Sequence, residues 1–124
     1  MNRLQTALRL NAIFSGVSGL AMILFHSSLA ELFALTNSTV FWVFGLALIF
    51  FAGTIVLEIL KQRRLPIIWI IIQDFIWVIG SAILLIIKPF SISSMGNNLI
   101  TTVAIIVLGM AINQLLALRK TVFN

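Results

Sequence analysis

Four long stretches of this sequence carry almost no formal charge. The uncharged intervals 10–30, 32–57 and 89–118 hold 21, 26 and 30 residues, and the interval 65–87 holds 23 residues with one charge, Asp74. A transmembrane helix needs about 20 consecutive apolar residues, so each stretch can cross a bilayer. The chain is 61% hydrophobic and only 9% charged, whereas about a quarter of the residues in a soluble domain are charged. The sequence therefore indicates an integral membrane protein and excludes a soluble enzyme.

Polar connectors divide the chain into four spans. We predict transmembrane helices near 5–25, 40–60, 66–87 and 98–118. The segment 29–35 is typical of a short amphipathic turn at the membrane interface, 61–64 of a tight basic hairpin, and 91–98 of a loop. Pro89 ends the third span, because proline disfavours helix in the residue before it. The 124 residues leave no room for a soluble domain, so we predict an all-α fold with one integral membrane domain over 1–124.

Basic residues are distributed very unequally between the two ends of these spans. The predicted topology places seven of them on one side: Arg3, Arg9, Lys61, Arg63, Arg64, Arg119 and Lys120. Only Lys88 falls on the other side. Because loops rich in Lys and Arg stay in the cytoplasm, we expect a compact antiparallel four-transmembrane-helix bundle with the N and C termini in the cytoplasm. Spans of about 20 residues suit a bacterial inner (plasma) membrane.

Each predicted span has one face that is more polar or smaller than the rest. At 100° per residue, each set shares one helical face. The sets, from the first span to the fourth, are Asn11, Ser15 and Gly19; Ala47, Phe51, Thr54 and Glu58; Gln73, Asp74, Trp77 and Gly80; and Thr102, Gly109, Asn113 and Ala117. These faces predict the interior of the bundle. The second span has a further small face, Gly45 and Ala52, which indicates either contact with a neighbouring subunit or gap filling.

The polar side chains are concentrated near the cytoplasmic ends of the spans, within about 12 Å of them. This concentration predicts an inward polar pocket. The candidate ligand or proton site residues are Asp74, Gln73, Trp77, Asn11, Ser15, Glu58, Arg9, Asn113 and Gln114.

Asp74 is the most informative of these residues. Ionisable residues within transmembrane helices are costly and often functional. Its expected partners are Arg9, Gln73, Asn11 or Asn113, and it either anchors a proton, cation or polar ligand group or holds helices in register. For Glu58, we expect an ion pair at the interface with Lys61, Arg63 or Arg9.

Catalytic and metal-binding patterns are absent from the sequence. The chain has no Cys and one His. That residue, His26, belongs to the outer side, far in depth from Asp74, so it forms neither an acid–base pair nor a metal site. We therefore expect a protein that is not an enzyme, with no catalytic residues, no metal and no cofactor.

Three short motifs resemble a group of small four-span bacterial membrane proteins to which no activity is assigned. The motifs are Asn11-Ala12-Ile13-Phe14-Ser15 with Gly19, Asp74-Phe75-Ile76-Trp77-Val78-Ile79-Gly80-Ser81, and Gln114 before Leu118-Arg119. The resemblance implies a four-helix fold in a bacterial membrane and no particular chemistry.

Two functions fit this pattern. In the first, the inward pocket binds or transports a small hydrophobic or amphipathic molecule, with Asp74 as the anchor of a polar group and Trp77 against its apolar part. In the alternative, the protein is a structural or accessory membrane subunit whose polar pocket only fixes helix packing. The expected partners are membrane lipids, a small amphipathic ligand in the first case, and a second copy of the chain, but no nucleic acid.

Overall fold

The computed structural model describes residues 2–88 and 91–121, and this part of the chain is helical except for short connections. The helices are α1 (Arg3–Leu24), α2 (His26–Leu32), α3 (Thr39–Lys61), α4 (Arg64–Ile87) and α5 (Ser94–Lys120). By length and composition, α1, α3, α4 and α5 are each able to cross a membrane. The four predicted spans are therefore confirmed as helices. The predicted role of Pro89 lies outside the described residues.

Two connecting segments are more helical than their composition indicates. The interfacial segment begins its helix at His26 rather than within 29–35. The last span begins at Ser94, inside the predicted loop, because the Ser93 side chain accepts a hydrogen bond from the backbone N–H of Gly96 (3.1 Å). This N-cap satisfies one of the free donors of the first helical turn.

The long helices make unequal contacts with one another. α1 packs most extensively on α3 and also contacts α5, and α5 packs on α4. α3 and α4 are joined by the short turn 62–63 yet contact each other least among these pairs. Gln62 adopts a left-handed conformation (φ 50°) that ends α3, and its N–H bonds the carbonyl of Glu58.

The apolar core lies at the end of the molecule that holds the 62–63 turn. Its buried members come from the start of α1, the end of α3, the start of α4 and the end of α5: Leu4, Ala7, Leu8, Ala12, Ile55, Ile67, Ile70, Ile71, Ala117 and Leu118. All four long helices therefore meet at this end.

Glycines allow α1 and α3 to approach closely at the opposite end. A Cβ atom on Gly19 would lie 2.7 Å from the carbonyl oxygen of Gly45, and one on Gly45 would lie 2.6 Å from that of Gly19. The small face formed by Gly45 and Ala52 thus packs on α1, which agrees with gap filling within the chain.

Part of the predicted interior faces outward. Ala47, Gly80, Thr102 and Gly109 are exposed. On α5 the buried residues are Gly96, Val107, Ala111, Gln114, Ala117 and Leu118, so Ala117 is the buried member of the predicted face and Asn113 is half-buried. The face centred on Thr102 and Gly109 is thereby rotated away from the interior.

Candidate functional site

Four polar side chains from three helices meet in the interior and form what we call the polar cluster: Asn11 and Ser15 of α1, Asp74 of α4 and Gln114 of α5. Asn11 and Gln114 have no exposed surface, and Asp74 and Ser15 are each 4% exposed. The cluster lies about 12 Å along α1 from its first residue.

Asp74 is the acceptor at the centre of the cluster. Its Oδ2 atom accepts a hydrogen bond from Nδ2 of Asn11 (2.7 Å) and another from Nε2 of Gln114 (2.7 Å). Nδ2 of Asn11 also donates to Oε1 of Gln114 (3.0 Å), and Oγ of Ser15 donates to Oδ1 of Asn11 (2.9 Å). Two carboxamides, a hydroxyl and one oxygen of a carboxyl group thus form hydrogen bonds with one another across three helices.

The sequence spacing on each helix explains this arrangement. Asn11 and Ser15 are four residues apart and therefore share one face of α1. Gln114 shares a face of α5 with Ala111 and Leu118, and Ala111 is fully buried. The small side chain of Ala111 beside Gln114 lets the backbones approach, so short polar side chains can reach across the interface.

Arg9 does not pair with Asp74. Arg9 is exposed, and across residues 2–88 and 91–121 the only ion pair joins Arg63 to Glu58. The expectation of Arg9 as a partner fails because Arg9 lies 200° around α1 from Asn11, on the opposite side of the helix. Of the four expected partners of Asp74, the structure provides Asn11.

Glu58 belongs to a separate site at the α3–α4 turn. Its Oε1 atom accepts a hydrogen bond from Nε of Arg63 (3.1 Å), and its Oε2 atom accepts one from Nη2 of the same residue. The hydrogen bond to Glu58 raises the pKa of the Arg63 guanidinium above its ordinary value. Of the three predicted cationic partners of Glu58, the structure therefore provides Arg63, and this ion pair lies at the turn rather than in the polar cluster.

The remaining candidates lie near the cluster without joining it. Gln73 and Asn113 are half-buried, and their side chains form no hydrogen bonds with the described residues. Trp77 is half-buried and packs its ring edge-to-face against Phe44 of α3, with centroids 6.1 Å apart. The residues predicted to line one pocket therefore fall into two groups, the hydrogen-bonded polar cluster and side chains beside it that make no bond to it.

Two grooves on the molecule are almost entirely apolar. The larger, about 480 Å³, lies between α1 and α5 and is lined by Leu10, Ile13, Phe14, Val17, Ser18 and Met110. The smaller, about 200 Å³, lies between α4 and α5. No side chain of the polar cluster lines either groove.

The role of Gln114 as a partner of Asp74 was missed from the sequence. Asn113 was expected there because it shares a helical face with Thr102 and Gly109. The signal that could have identified Gln114 is its spacing from Ala111 and Leu118, which marks a small and apolar contact face.

Within the described residues, no group of three or more His, Cys, Asp or Glu side chains could hold a metal ion. No protein-family model, curated protein or solved structure matches the chain.

Proposed function

We propose that this chain is a multi-pass protein of the bacterial inner membrane, folded as an antiparallel four-helix bundle with both termini in the cytoplasm. Asn11, early in α1, bonds Gln114, late in α5, as expected for neighbouring helices of opposite direction. The same end of the molecule carries seven of the eight Lys and Arg residues. This excess is the charge distribution expected of the cytoplasmic side.

Single cysteines test this topology without background, because the chain contains no Cys. A membrane-impermeant maleimide should modify the Thr36→Cys variant in intact cells. The Gln62→Cys variant should react only after the membrane is permeabilised. Equal modification of both variants in intact cells would contradict the proposed orientation.

In this topology the protein acts as a non-enzymatic structural or accessory membrane subunit whose polar cluster fixes helix packing. The observation that carries this proposal is the mutual hydrogen bonding of Asn11, Asp74 and Gln114, together with the absence of any unpaired buried side-chain nitrogen or oxygen in the described part of the chain. In hydrocarbon, where water cannot replace a lost partner, such bonds favour one register of the helices over others.

Glycines on the outer surface support the accessory role. Gly53, Gly80 and Gly109 are exposed. A Cβ atom built on any of these glycines would have no neighbouring heavy atom of the described structure within 4 Å. Small residues on transmembrane helices allow another helix to approach closely. These positions on α3, α4 and α5 therefore suit contact with a partner subunit or a second copy of the chain.

Binding of a small amphipathic molecule with a cationic group at Asp74 is the second candidate function. The observation that favours it is that both hydrogen bonds to Asp74 end on Oδ2, whereas Oδ1 accepts none from the described residues. An intramembrane carboxylate without a cationic partner is costly, at about 2.5–3.5 kcal/mol on insertion scales, and commonly marks a functional site. In this candidate function Trp77, one turn along α4, contacts the apolar part of the ligand.

Two substitutions of Asp74 separate these functions. Asn retains the shape and an oxygen that can accept both hydrogen bonds, so the structural function predicts that Asp74→Asn unfolds within about 0.5 kcal/mol of the natural protein. Leu removes the acceptor, so Asp74→Leu should lower the free energy of unfolding by about 1–2 kcal/mol. Thermal unfolding in detergent and mass spectrometry of co-purified small molecules provide the measurements.

The same pair of variants shows which proposal fails. Loss of a co-purified cationic molecule in Asp74→Asn, at unchanged stability, would replace the structural function by ligand binding. Equal stability of Asp74→Asn and Asp74→Leu, with unchanged bound molecules, would contradict both functions at this residue.

A further inference from the structure

We propose that the groove between α1 and α5 is a binding site for one anionic phospholipid, which inserts an acyl chain into the groove and places its phosphate between Arg3 and Lys120. This site is distinct from the polar cluster and does not depend on the role of Asp74.

The groove has the composition of an acyl-chain site. It is an open groove of about 480 Å³, lined by five apolar side chains and Ser18. Leu10 and Val17 are 54% and 63% exposed, so the groove is open along the lipid-facing side of the protein. A hydrocarbon chain can therefore enter it laterally from the bilayer.

Polar and basic residues continue the groove toward the cytoplasmic end. Asn113 follows Met110 by one turn of α5 and is half-buried without a side-chain hydrogen bond in the described structure. Lys120 follows Asn113 by seven residues, and Arg3 precedes Leu10 by seven residues. A separation of seven residues returns to the same helical face about 10 Å further along. Both basic side chains, which are exposed, therefore stand at the end of the seam that α1 and α5 form.

Among the described residues, no acidic side chain forms an ion pair with Arg3 or Lys120 at this end. The chain has three acidic residues. Glu58 is paired with Arg63 and Asp74 lies in the polar cluster, while Glu31 follows α1 at the opposite end. Basic pockets between transmembrane helices on the cytoplasmic side are suited to anionic lipid headgroups. An anionic phospholipid thus matches both the apolar groove, through an acyl chain, and the basic residues Arg3 and Lys120, through its phosphate.

The other seam of α5 provides a matched control. Arg64 and Arg119 occupy the cytoplasmic end of the α4–α5 seam. Leu108 lines the smaller groove, and Arg119 follows it by eleven residues, which returns to the same face of α5. Along α5 the two grooves lie at similar distances from their basic residues, about 16 Å from Leu108 to Arg119 and about 15 Å from Met110 to Lys120. The two seams differ in groove volume, about 480 Å³ against about 200 Å³, so the α4–α5 seam provides a matched pair of cations beside a groove less than half as large.

The experiment titrates purified protein in detergent with dioleoyl phosphatidylglycerol and with dioleoyl phosphatidylcholine, and native mass spectrometry counts the bound lipids. We expect one phosphatidylglycerol to bind more tightly than phosphatidylcholine, which has the same chains. A basic residue at an anionic surface contributes about five-fold in affinity, so the double variant Arg3→Gln/Lys120→Gln should bind phosphatidylglycerol about 25-fold more weakly. The variant Arg64→Gln/Arg119→Gln, with the same change of net charge, should bind as the natural protein does.

A groove-filling variant tests the acyl-chain part separately. Val17→Trp retains every charge and adds a ring at an exposed position in the groove, so it should weaken the binding of both lipids. Equal affinity for the two lipids, equal losses in the two charge variants, or unchanged binding in Val17→Trp would each overturn the proposal. If the Arg3/Lys120 variant fails to unfold cooperatively, the lipid preference and Val17→Trp still decide the outcome.

Discussion

The two ends of the helix assembly are held together by different kinds of contact. At the end with the 62–63 turn, α1, α4 and α5 share a hydrogen-bonded polar cluster beside an apolar core. At the opposite end, α1 and α3 pack closely where Gly19 contacts Gly45. The hydroxyl of Ser93, just before α5, donates a hydrogen bond to the carbonyl of Leu32 in α2.

This difference separates α3 from the other long helices. Within its span α3 contributes no side chain to the polar cluster, and the hydroxyl of Thr54 bonds the carbonyl of Phe51 in its own helix. It packs on α1 through small residues, with Gly45 and Ala52 facing Gly19 and Gly16, and its carbonyl of Ile59 accepts a hydrogen bond from Nε2 of Gln5 (3.0 Å). Buried hydrogen bonds between side chains therefore connect α1, α4 and α5, whereas α3 is held mainly by the close approach of small residues to α1.

The largest expected effect comes from filling the α1–α3 contact. A side chain at position 19 would collide with the backbone carbonyl of Gly45, which cannot move away as a flexible side chain could. We expect Gly19→Leu to lower the free energy of unfolding by about 3 kcal/mol or to prevent folding. Thermal unfolding of purified protein measures the effect.

Gly53→Leu is the control for this prediction, because Gly53 lies on α3 in open space. We expect this variant to keep its stability or to gain up to about 1 kcal/mol, because leucine has a higher helix propensity than glycine. If Gly19→Leu unfolds at the same temperature as Gly53→Leu, close approach does not position α3.

The second prediction concerns the polar cluster. Gln114→Leu removes one hydrogen bond to Asp74 and one from Asn11. Interhelical hydrogen bonds in membranes average about 0.6 kcal/mol and reach about 1.7, so we expect a loss of about 1–2 kcal/mol in the free energy of unfolding. The neighbouring Asn113→Leu removes an amide that has no side-chain bond in the described structure and should change stability by less than about 0.5 kcal/mol. Equal losses in the two variants would contradict the assignment of Gln114 as the bonded amide.

The sequence predicts the helices better than their rotation. Charge-free length identifies all four spans, because the cost of placing charge in hydrocarbon acts on each segment independently. The rotation of each helix depends on its neighbours, and adjacent residues such as Asn113 and Gln114 differ by 100°. The helical-wheel pattern therefore named both Asn113 and Gln114 as site candidates but gave only Asn113 as a partner of Asp74, whereas the structure provides Gln114. Asn11, which shares a face with Ser15, is both an expected partner of Asp74 and an observed one.

The third prediction, with the smallest expected effect, concerns the hydrogen bonds of Ser93 at the opposite end. Oγ of Ser93 accepts a hydrogen bond from the N–H of Gly96 and donates to the carbonyl of Leu32. Ser93→Ala removes both bonds, although the N–H of Ser93 still bonds the carbonyl of Phe33. Loss of a helix N-cap costs about 1 kcal/mol, so we expect a decrease of about that size and faster amide hydrogen exchange at the start of α5.

The adjacent Ser94 is a matched control, since it is exposed and its hydroxyl forms no hydrogen bond in the described structure. Ser94→Ala places a strong helix former at the first helical position, so it should leave stability and exchange nearly unchanged. Because Ser93 touches neither the polar cluster nor the Gly19–Gly45 contact, the effect of Ser93→Ala should add to that of Gln114→Leu in the double variant. Equal exchange in Ser93→Ala and Ser94→Ala would show that the Ser93 hydroxyl does not hold α2 against α5. The backbone hydrogen bond from Ser93 to Phe33 and apolar contacts, such as the edge-to-face packing of Phe33 on Phe41 with centroids 5.0 Å apart, would then account for the contact.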